Sequence, residues 1–498
     1  MSKDFISIEK LIAAGLTAAG LQYLYPYQRL VIANILEAAR SASIPMEILE
    51  PEESKIDETA PDSDEDTWKG FGKQIVILPT GAGKSLCFQL PARIIARPTL
   101  VIFPILALMA DQARRLKEQG ARVALIRGGQ STEERADLAA LLQEPENTFI
   151  IANPEVLAGQ PVRALLKSAQ IAHVVIDEAH CVSQWGETFR PAYLELGNII
   201  SELNPPLVTA FTATASPAVL DKIRHYIFGD QAVHLVMGDP DRPNISYRLV
   251  RSLVKEAALR SLLAHIPRPA IVFCSSRSRT EQLAQALRYD LKTQEIYFYH
   301  AGLERQEKDK VETWFFSSKK GILVATCAYG LGVDKSDIRS VIHFDCPSLV
   351  EAYIQEAGRA GRDGQNATAI LLWGPEDELR SGAMALYGSS RGRCRRRLLL
   401  SLLEGKSDEM IQANCTGDES SCDECLGRAS GSWREEAVLQ TLIKQSPRRF
   451  TLAEAADFIA NQERLDLSRE EARKALSTLL ARGKLKESRC PLWNKVLS

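Results

Sequence analysis

The sequence predicts an α/β protein: two tandem, doubly wound domains on parallel sheets, then a small cysteine-bearing helical module and a C-terminal winged-helix-like domain. Three observations carry this expectation. Short apolar runs alternate with longer amphipathic stretches, and each run stops at a polar or turn residue, which is the rhythm of strand–helix units. The rhythm starts afresh after the Pro- and Asp-rich stretch Gly238-Asp239-Pro240-Asp241-Arg242-Pro243-Asn244. Four of the ten cysteines, Cys394, Cys415, Cys422 and Cys425, fall together in a polar region beyond both series. At 498 residues the chain exceeds one ordinary core, so two large domains with appendages are expected.

Composition narrows the function. A formal net charge of -2 argues against a generally basic coat, so any nucleic-acid site must be a local patch. No apolar run approaches a membrane span, and Met1-Ser2-Lys3-Asp4-Phe5 lacks a signal-peptide pattern. Cys87, Cys181, Cys274, Cys327 and Cys346 sit in apolar or motif-bearing segments, as small core residues do. A soluble, cytoplasmic protein with no membrane partner is expected.

In chain order, residues 7–40 are predicted helical and include Leu24-Tyr25-Pro26-Tyr27-Gln28, where Gln28 can pair with an adenine edge. Residues 47–68 are rich in Glu, Asp, Pro and Ser, and read as a flexible acidic loop within an insertion at about 45–70. A strand over 74–78 then runs into Pro79-Thr80-Gly81-Ala82-Gly83-Lys84-Ser85 and a helix. Such glycines let backbone N–H groups wrap phosphates at a helix N-terminus. Lys84 can reach the β/γ-phosphates, and the Ser85 hydroxyl can hold Mg²⁺. Further strands are expected over 100–103, 149–151, 174–176 and 207–211, the last ending at Thr212-Ala213-Thr214.

The strand over 174–176 delivers Asp177-Glu178-Ala179-His180 to the edge where open α/β sheets bind ligands. One carboxylate can hold Mg²⁺ while its neighbour orients and deprotonates a water; taken alone, such a pair is more commonly a solvated strand end. Trp185, Phe189 and Arg190 follow on one loop, a composition suited to stacking on unpaired bases and touching phosphates. The second series has strands over 270–274, 295–299, 321–326, 340–344 and 368–373, and no phosphate loop. It carries Gln355-Glu356-Ala357-Gly358-Arg359-Ala360-Gly361-Arg362-Asp363-Gly364 instead. Two guanidiniums at this spacing suit insertion against a γ-phosphate across a domain interface, or form a surface patch.

These strings, with Leu86-Cys87-Phe88-Gln89-Leu90-Pro91, Asp241-Arg242-Pro243-Asn244-Ile245 and Tyr299-His300-Ala301-Gly302-Leu303, resemble the RecQ family of superfamily 2 (DEAH-box) DNA helicases. They stand in family order over roughly residues 20–430. The resemblance implies two RecA-like P-loop domains clamping ATP and Mg²⁺, with 3′→5′ translocation on single-stranded DNA and unwinding of 3′-tailed duplex in repair or recombination. It implies that Tyr25 and Gln28 meet the adenine, and that Thr80, Gly81, Ala82, Gly83, Lys84 and Ser85 bind phosphates. Asp177 and Ser85 would hold Mg²⁺, and Glu178 would be the base. Gln355, Arg359 and Arg362 would complete the catalytic set, and Trp185, Phe189 and Arg190 would sense DNA. Three departures stand out. Glu187 and Thr188 replace the usual His-Asp, Tyr25 replaces an arginine, and the acidic insertion lies where the family has a short connection.

Arg391, Arg393, Arg395, Arg396 and Arg397 surround Cys394 at the start of a helical stretch, and Arg395 and Arg396 are expected to touch DNA phosphates. Cys394, Cys415, Cys422 and Cys425 offer four thiolates for tetrahedral Zn²⁺, with Cys422 and Cys425 at ligand-turn spacing; four core cysteines are the other reading. Cys415 lies several residues earlier than its counterpart in the resembling family. Helical patterns over 435–445, 452–460 and 468–481 precede a hairpin, an order that suggests a winged helix with Arg473 on its reading helix. Domain limits are thus expected at 1–237, 238–385, 386–430 and 431–498. The chain is expected to act as a monomeric ATP-dependent DNA helicase, with protein partners meeting the acidic loop or winged helix. The alternative is a DNA-stimulated ATPase that remodels protein–DNA complexes inside a larger, for example genome-defence, machine.

Overall fold

The computed structural model describes residues 7–47, 71–79, 81–142, 148–185, 190–327, 329, 335–406, 415, 417–430, 432–445, 450–462, 465–490 and 493–497. The chain divides into two compact units, Met1–Pro240 and Asp241–Ser498.

The first unit is built on seven parallel strands: β1 (Lys73–Ile77), β2 (Thr99–Ile102), β3 (Arg122–Leu125), β4 (Thr148–Ala152), β5 (His173–Ile176), β6 (Leu207–Thr212) and β7 (His234–Met237). Their order is β3-β4-β2-β5-β6-β1-β7. The central strands read as near-continuous apolar runs because helices cover both faces. On one face Phe88, Phe103, Phe149 and Phe211 pack with helix Pro26–Ser41. On the other, Ile75, Ile176, Ala210 and Tyr193 form a second core. The helical stretch expected over 7–40 is two helices, Ile8–Ala18 and Pro26–Ser41: Gly20, at φ 66°, lies just beyond the first, and Pro26 starts the second at its N1 position.

The second unit holds six parallel strands: β8 (Ile245–Arg251), β9 (Ala270–Phe273), β10 (Ile296–Tyr299), β11 (Ile322–Ala325), β12 (Ser340–His343) and β13 (Ala367–Trp373), in the order β10-β11-β9-β12-β13-β8. Edge strand β8 is capped by the cysteine region. Leu249 N–H donates to Asp423 Oδ2 at 2.9 Å, Asp423 N–H donates to the Tyr247 carbonyl, and Ser246 Oγ donates to the Ser421 carbonyl at 2.7 Å. Open edge groups are satisfied without another strand. Helices Glu436–Gln445, Leu452–Ala460 and Arg469–Ala481 follow, then an antiparallel pair, β14 (Glu487–Cys490) and β15 (Trp493–Leu497). Ser468 and Glu471 cap the third helix reciprocally, as their spacing predicts. No described helix is long and apolar enough to cross a membrane.

Candidate functional site

In the first unit the candidate groups meet at the C-terminal ends of β1, β5 and β6. The turn after β1 places Gly81 at φ 87° and Gly83 at φ 71°, conformations that glycine adopts without a Cβ penalty. Gly83 is the N-cap of helix Lys84–Ile94, so the free N–H groups of its first turn lie beside the loop. A Cβ on Gly83 would lie 2.5 Å from Gln28 Nε2. That amide is buried, donates to the Ala82 carbonyl at 2.9 Å and accepts from Tyr25 N–H at 2.9 Å through Oε1. Gln28 thus braces the loop from the neighbouring helix. Tyr25 is half-exposed and stacks on Tyr27, ring centroids 5.5 Å apart and nearly parallel. Lys84 and Ser85 are partly buried, and Thr80 lies outside the described residues.

Asp177 is buried at the end of β5, its N–H bonded to the Ile102 carbonyl at 3.0 Å. Burial pushes its carboxyl up to about 7, the Glu178 charge pushes the same way, and Lys84 pulls it back. The pull of Lys84 puts the phosphate loop and the acid pair in one electrostatic neighbourhood. A buried oxygen donor with a like charge beside it fits a divalent cation, which removes both penalties at once. Glu178 itself has φ 50°, a left-handed backbone that costs a non-glycine residue energy and aims its side chain. Its Oε2 lies 3.3 Å from His180 Nδ1, and that nitrogen lies 3.0 Å from Thr212 Oγ1. Thr212 Oγ1 donates onward to the Thr214 carbonyl at 2.9 Å, so the hydroxyl accepts from the imidazole and Nδ1 carries the proton. The Glu178 carboxylate lies beside that imidazole, so acid, histidine and strand-end hydroxyl are neighbours, which residue spacing alone cannot reveal.

The aromatic segment is only partly described. Trp185 ends the short helix Cys181–Trp185; Glu187, Thr188 and Phe189 lie outside the described residues. Arg190 is held within the unit, its guanidinium on the Pro104 carbonyl and 3.2 Å from Glu155 Oε1.

In the second unit, Gln355 lies on helix Val350–Ala357, with Arg359 and Arg362 on the turn beyond it. Arg359 is buried and Arg362 partly so. Arg242 fixes that turn, donating to the carbonyls of Gly358, Ala360 and Gly361 at 3.0, 3.2 and 2.9 Å. Asn244 Nδ2 adds bonds to Gly361 and Gln365 at 2.8 Å each. The Asp-Arg-Pro-Asn string, which serves only as a family marker in the sequence, is a clamp under the arginine turn.

The four sulfurs of Cys394, Cys415, Cys422 and Cys425 lie within 4.8 Å of one another, with Cys394 to Cys415 at 3.5 Å and Cys394 to Cys422 at 3.9 Å. Zinc–sulfur bonds of about 2.3 Å in a tetrahedron require sulfurs about 3.8 Å apart, so the set fits zinc, Cys415 included. Hydrogen bonds from the Cys394 and Cys415 thiols pull Cys422 well below its ordinary range. Arg395 N–H also points at Cys422 Sγ, 3.4 Å away. One expectation fails here. Arg395 and Arg396 are not phosphate contacts: they are 1% and 2% exposed. Arg395 pairs with Asp423 at 2.7 Å and Glu424 at 3.0 Å. Arg396 lies 3.5 Å from Asp241 and donates to the carbonyls of Pro243, Ile245 and Ser420. Arg473 is exposed on helix Arg469–Ala481.

Comparison with known proteins agrees with this layout. Residues 26–223 match the DEAD/DEAH box helicase family and residues 254–364 the helicase conserved C-terminal domain. The ATP-dependent DNA helicase RecQ of Pasteurella multocida is 38% identical over 305 residues, 61% of this chain and 48% of that protein. The chain thus carries a DEAD/DEAH box helicase domain and a helicase conserved C-terminal domain, and it is similar to RecQ-type DNA helicases. A probable ATP-dependent DNA helicase RecS of Bacillus subtilis is 38% identical, covering 61% of each chain. The mouse bifunctional 3′-5′ exonuclease/ATP-dependent helicase WRN is 31% identical over 77% of this chain and 29% of its own length. The chain therefore spans about half the length of the Pasteurella relative it matches. Among solved structures, Saccharomyces cerevisiae Dbp5 bound to RNA and ADP BeF3 shares the fold, with TM-score 0.53 and 17% identity over 74% of this chain and 89% of its own. Mss116p bound to single-stranded RNA and AMP-PNP does so with TM-score 0.57 and 17% identity over 96% and 92%.

Proposed function

We propose that this chain is an ATP-dependent DNA helicase of the RecQ type, moving 3′→5′ on single-stranded DNA and unwinding 3′-tailed duplex in repair or recombination. The observation that carries the reading is the meeting of left-handed glycines, Lys84, Asp177 and Glu178 at one sheet edge, in a chain similar to named DNA helicases. The glycine turn with Ala82 and Thr80 wraps the phosphates, and Lys84 draws charge off the transferred group. Tyr25 stacks on the adenine, with Gln28 beside it. Asp177 and Ser85 are the residues that would hold Mg²⁺, which neutralises phosphate charge when bound. Glu178 takes the proton of the attacking water, with His180 beside it. Gln355, Arg359 and Arg362 complete the catalytic set, Arg362 as the finger.

Trp185, Phe189 and Arg190 sense single-stranded DNA, and Zn²⁺ on the four cysteines orders residues 386–430. Residues 1–237 and 238–385 form the two motor domains, and residues 431–498 a winged-helix-like domain with Arg473 facing DNA. The protein works in the cytoplasm as a monomer, and any protein partner meets the acidic loop or the winged helix.

Strand displacement with ATP on 3′-tailed and 5′-tailed duplexes tests this reading. Unwinding of the 3′-tailed substrate supports it, and ATP hydrolysis without displacement on either refutes it. The second outcome is the mark of the alternative, a DNA-stimulated ATPase that remodels protein–DNA complexes within a larger machine. That alternative is favoured by one feature, the engagement of helix Arg469–Ala481 with the second motor unit, where Glu471 meets Arg260 at 2.8 Å.

A further inference from the structure

A buried polar contact joins the sheet of the second unit to the helix that leads into its arginine turn. His343, the last residue of β12, is 0% exposed, and its Nε2 lies 2.9 Å from Oε2 of Glu356. Glu356 stands in the last turn of helix Val350–Ala357, between Gln355 and the turn that carries Arg359 and Arg362. A carboxylate only accepts, so the imidazole proton is on Nε2 and is donated to the helix. The ring is held in its plane from two sides: Phe273 stacks on it at 5.4 Å and 25°, and Tyr353 packs against it at 4.6 Å. His343 is in register with Phe273 of β9 and Leu371 of β13, so the donor is mounted on the interior of the sheet.

The helix otherwise meets the core through Val350, Tyr353, Ile354 and Ala357, and apolar burial is non-directional. A hydrogen bond fixes a direction as well as a distance. Replacing a buried charged pair by apolar side chains of like volume is often neutral or stabilising, so the better-attested use of such a pair is to specify one arrangement. The residue fixed here leads straight into the turn, because Arg359 N–H donates to the Glu356 carbonyl at 3.2 Å. Arg242 holds the same turn further on, through the carbonyls of Gly358, Ala360 and Gly361. We propose that His343 is a positioning residue for the arginine turn: through Glu356 it sets where the helix ends, and hence where Arg359 and Arg362 are presented. The inference rests on the reading of Arg362 as the finger of the ATP site. A misplacement of about 1 Å is enough to cost a reaction on the order of a hundredfold in rate.

Steady-state ATPase of the full chain with saturating oligo-dT is the test. His343→Leu should lower kcat by about tenfold to a hundredfold, with KM for ATP within about twofold of wild type. Glu356→Leu should do the same from the other side of the pair. His343→Gln keeps an N–H donor and should recover most of the rate. Because His343 acts through the arginines, His343→Leu combined with Arg362→Ala should be no slower than Arg362→Ala alone. Rates are normalised to the folded fraction seen in thermal melts. Wild-type kcat in both leucine variants, a change confined to KM, no recovery in His343→Gln, or additive losses with Arg362→Ala would each overturn the inference. So would rates that normalisation restores, or failure of both leucine variants to fold, since the pair would then serve only the fold. Wild-type kcat in Arg362→Ala alone would fail the finger reading and this inference with it, whereas a slow Arg362→Ala beside a fast His343→Leu removes the inference only.

Discussion

Single side chains decide the ATP site. Lys84→Ala should abolish hydrolysis, because the charge facing the transferred phosphoryl group is gone. Glu178→Gln should bind ATP yet stall turnover, since an amide cannot accept the water's proton. Steady-state ATPase and nucleotide binding measured together check both, and near-normal turnover in either refutes the assignment. Gly83→Ala should also lose nucleotide affinity by a more local route: the new Cβ enters a left-handed backbone and meets Gln28 Nε2. Arg362→Ala should leave ATP affinity largely intact and lower kcat by a factor of the order of 10³, as loss of an arginine finger does; an effect confined to KM would make it a binding residue. At this scale the sequence is very legible, because a phosphate loop and an acid pair after apolar strands are chemistry written in short strings. What it hides is the partner that arrives from a distance. Gln28 bracing the Ala82 carbonyl and His180 lying between Glu178 and Thr212 each need the folded chain.

Elements are legible where burial is complete and obscure where it is one-sided. The buried strands β1, β2, β5 and β6 read as apolar runs, whereas β8 carries Arg248 and Arg251 among its apolar residues and gives no strand signal in the sequence. Its second side is covered by the cysteine region, not by a helix, which also explains the arginines misread as DNA contacts. A run of guanidiniums looks solvated until Asp423, Glu424 and Asp241 are brought to it from elsewhere in the chain. The cluster and the strand edge are therefore one construction, and losing the metal should loosen both. Purified protein should contain about one zinc per chain, and Cys422→Ser should lose it, because metal binding supplies folding free energy to so small a module. Hydrogen exchange should then rise at Leu249 as well as around residues 390–428. A metal-free preparation with full protection at Leu249 would mean that four cysteines and their packing suffice alone.

Across the second unit, the C-terminal helices are fastened to the motor by charge. Arg260 on helix Lys255–Leu263 holds both oxygens of Glu471 at 2.8 and 3.0 Å, and Arg482 lies 4.7 Å over the Trp433 ring. Glu471 is also the capping carboxylate of its own helix, accepting from Ser468 N–H at 2.8 Å. Glu471 in the first turn of that helix is thus tied to protein, while Arg469, Glu470 and Arg473 remain exposed. Acid provides a test of the clamp. Burial tends to raise the Glu471 carboxyl, but hydrogen bonds from Arg260 and Ser468 outweigh it and hold the group below its ordinary value. A depressed carboxyl stabilises the folded form above the unfolded value, about 4.3, and that contribution is lost as pH falls through the lower folded one. The clamp should therefore be intact from neutrality down to that unfolded value and weaken only as pH falls below it. Arg260→Ala should remove it at every pH, at a cost of about 1.5–3 kcal/mol for a charge-assisted pair. Trp433 emission and protease sensitivity near residues 465–485 report the release, with ATPase read alongside. If Arg260→Ala leaves emission, protection and acid sensitivity as in wild type, the helices are held by their apolar contacts and the charge pair is incidental.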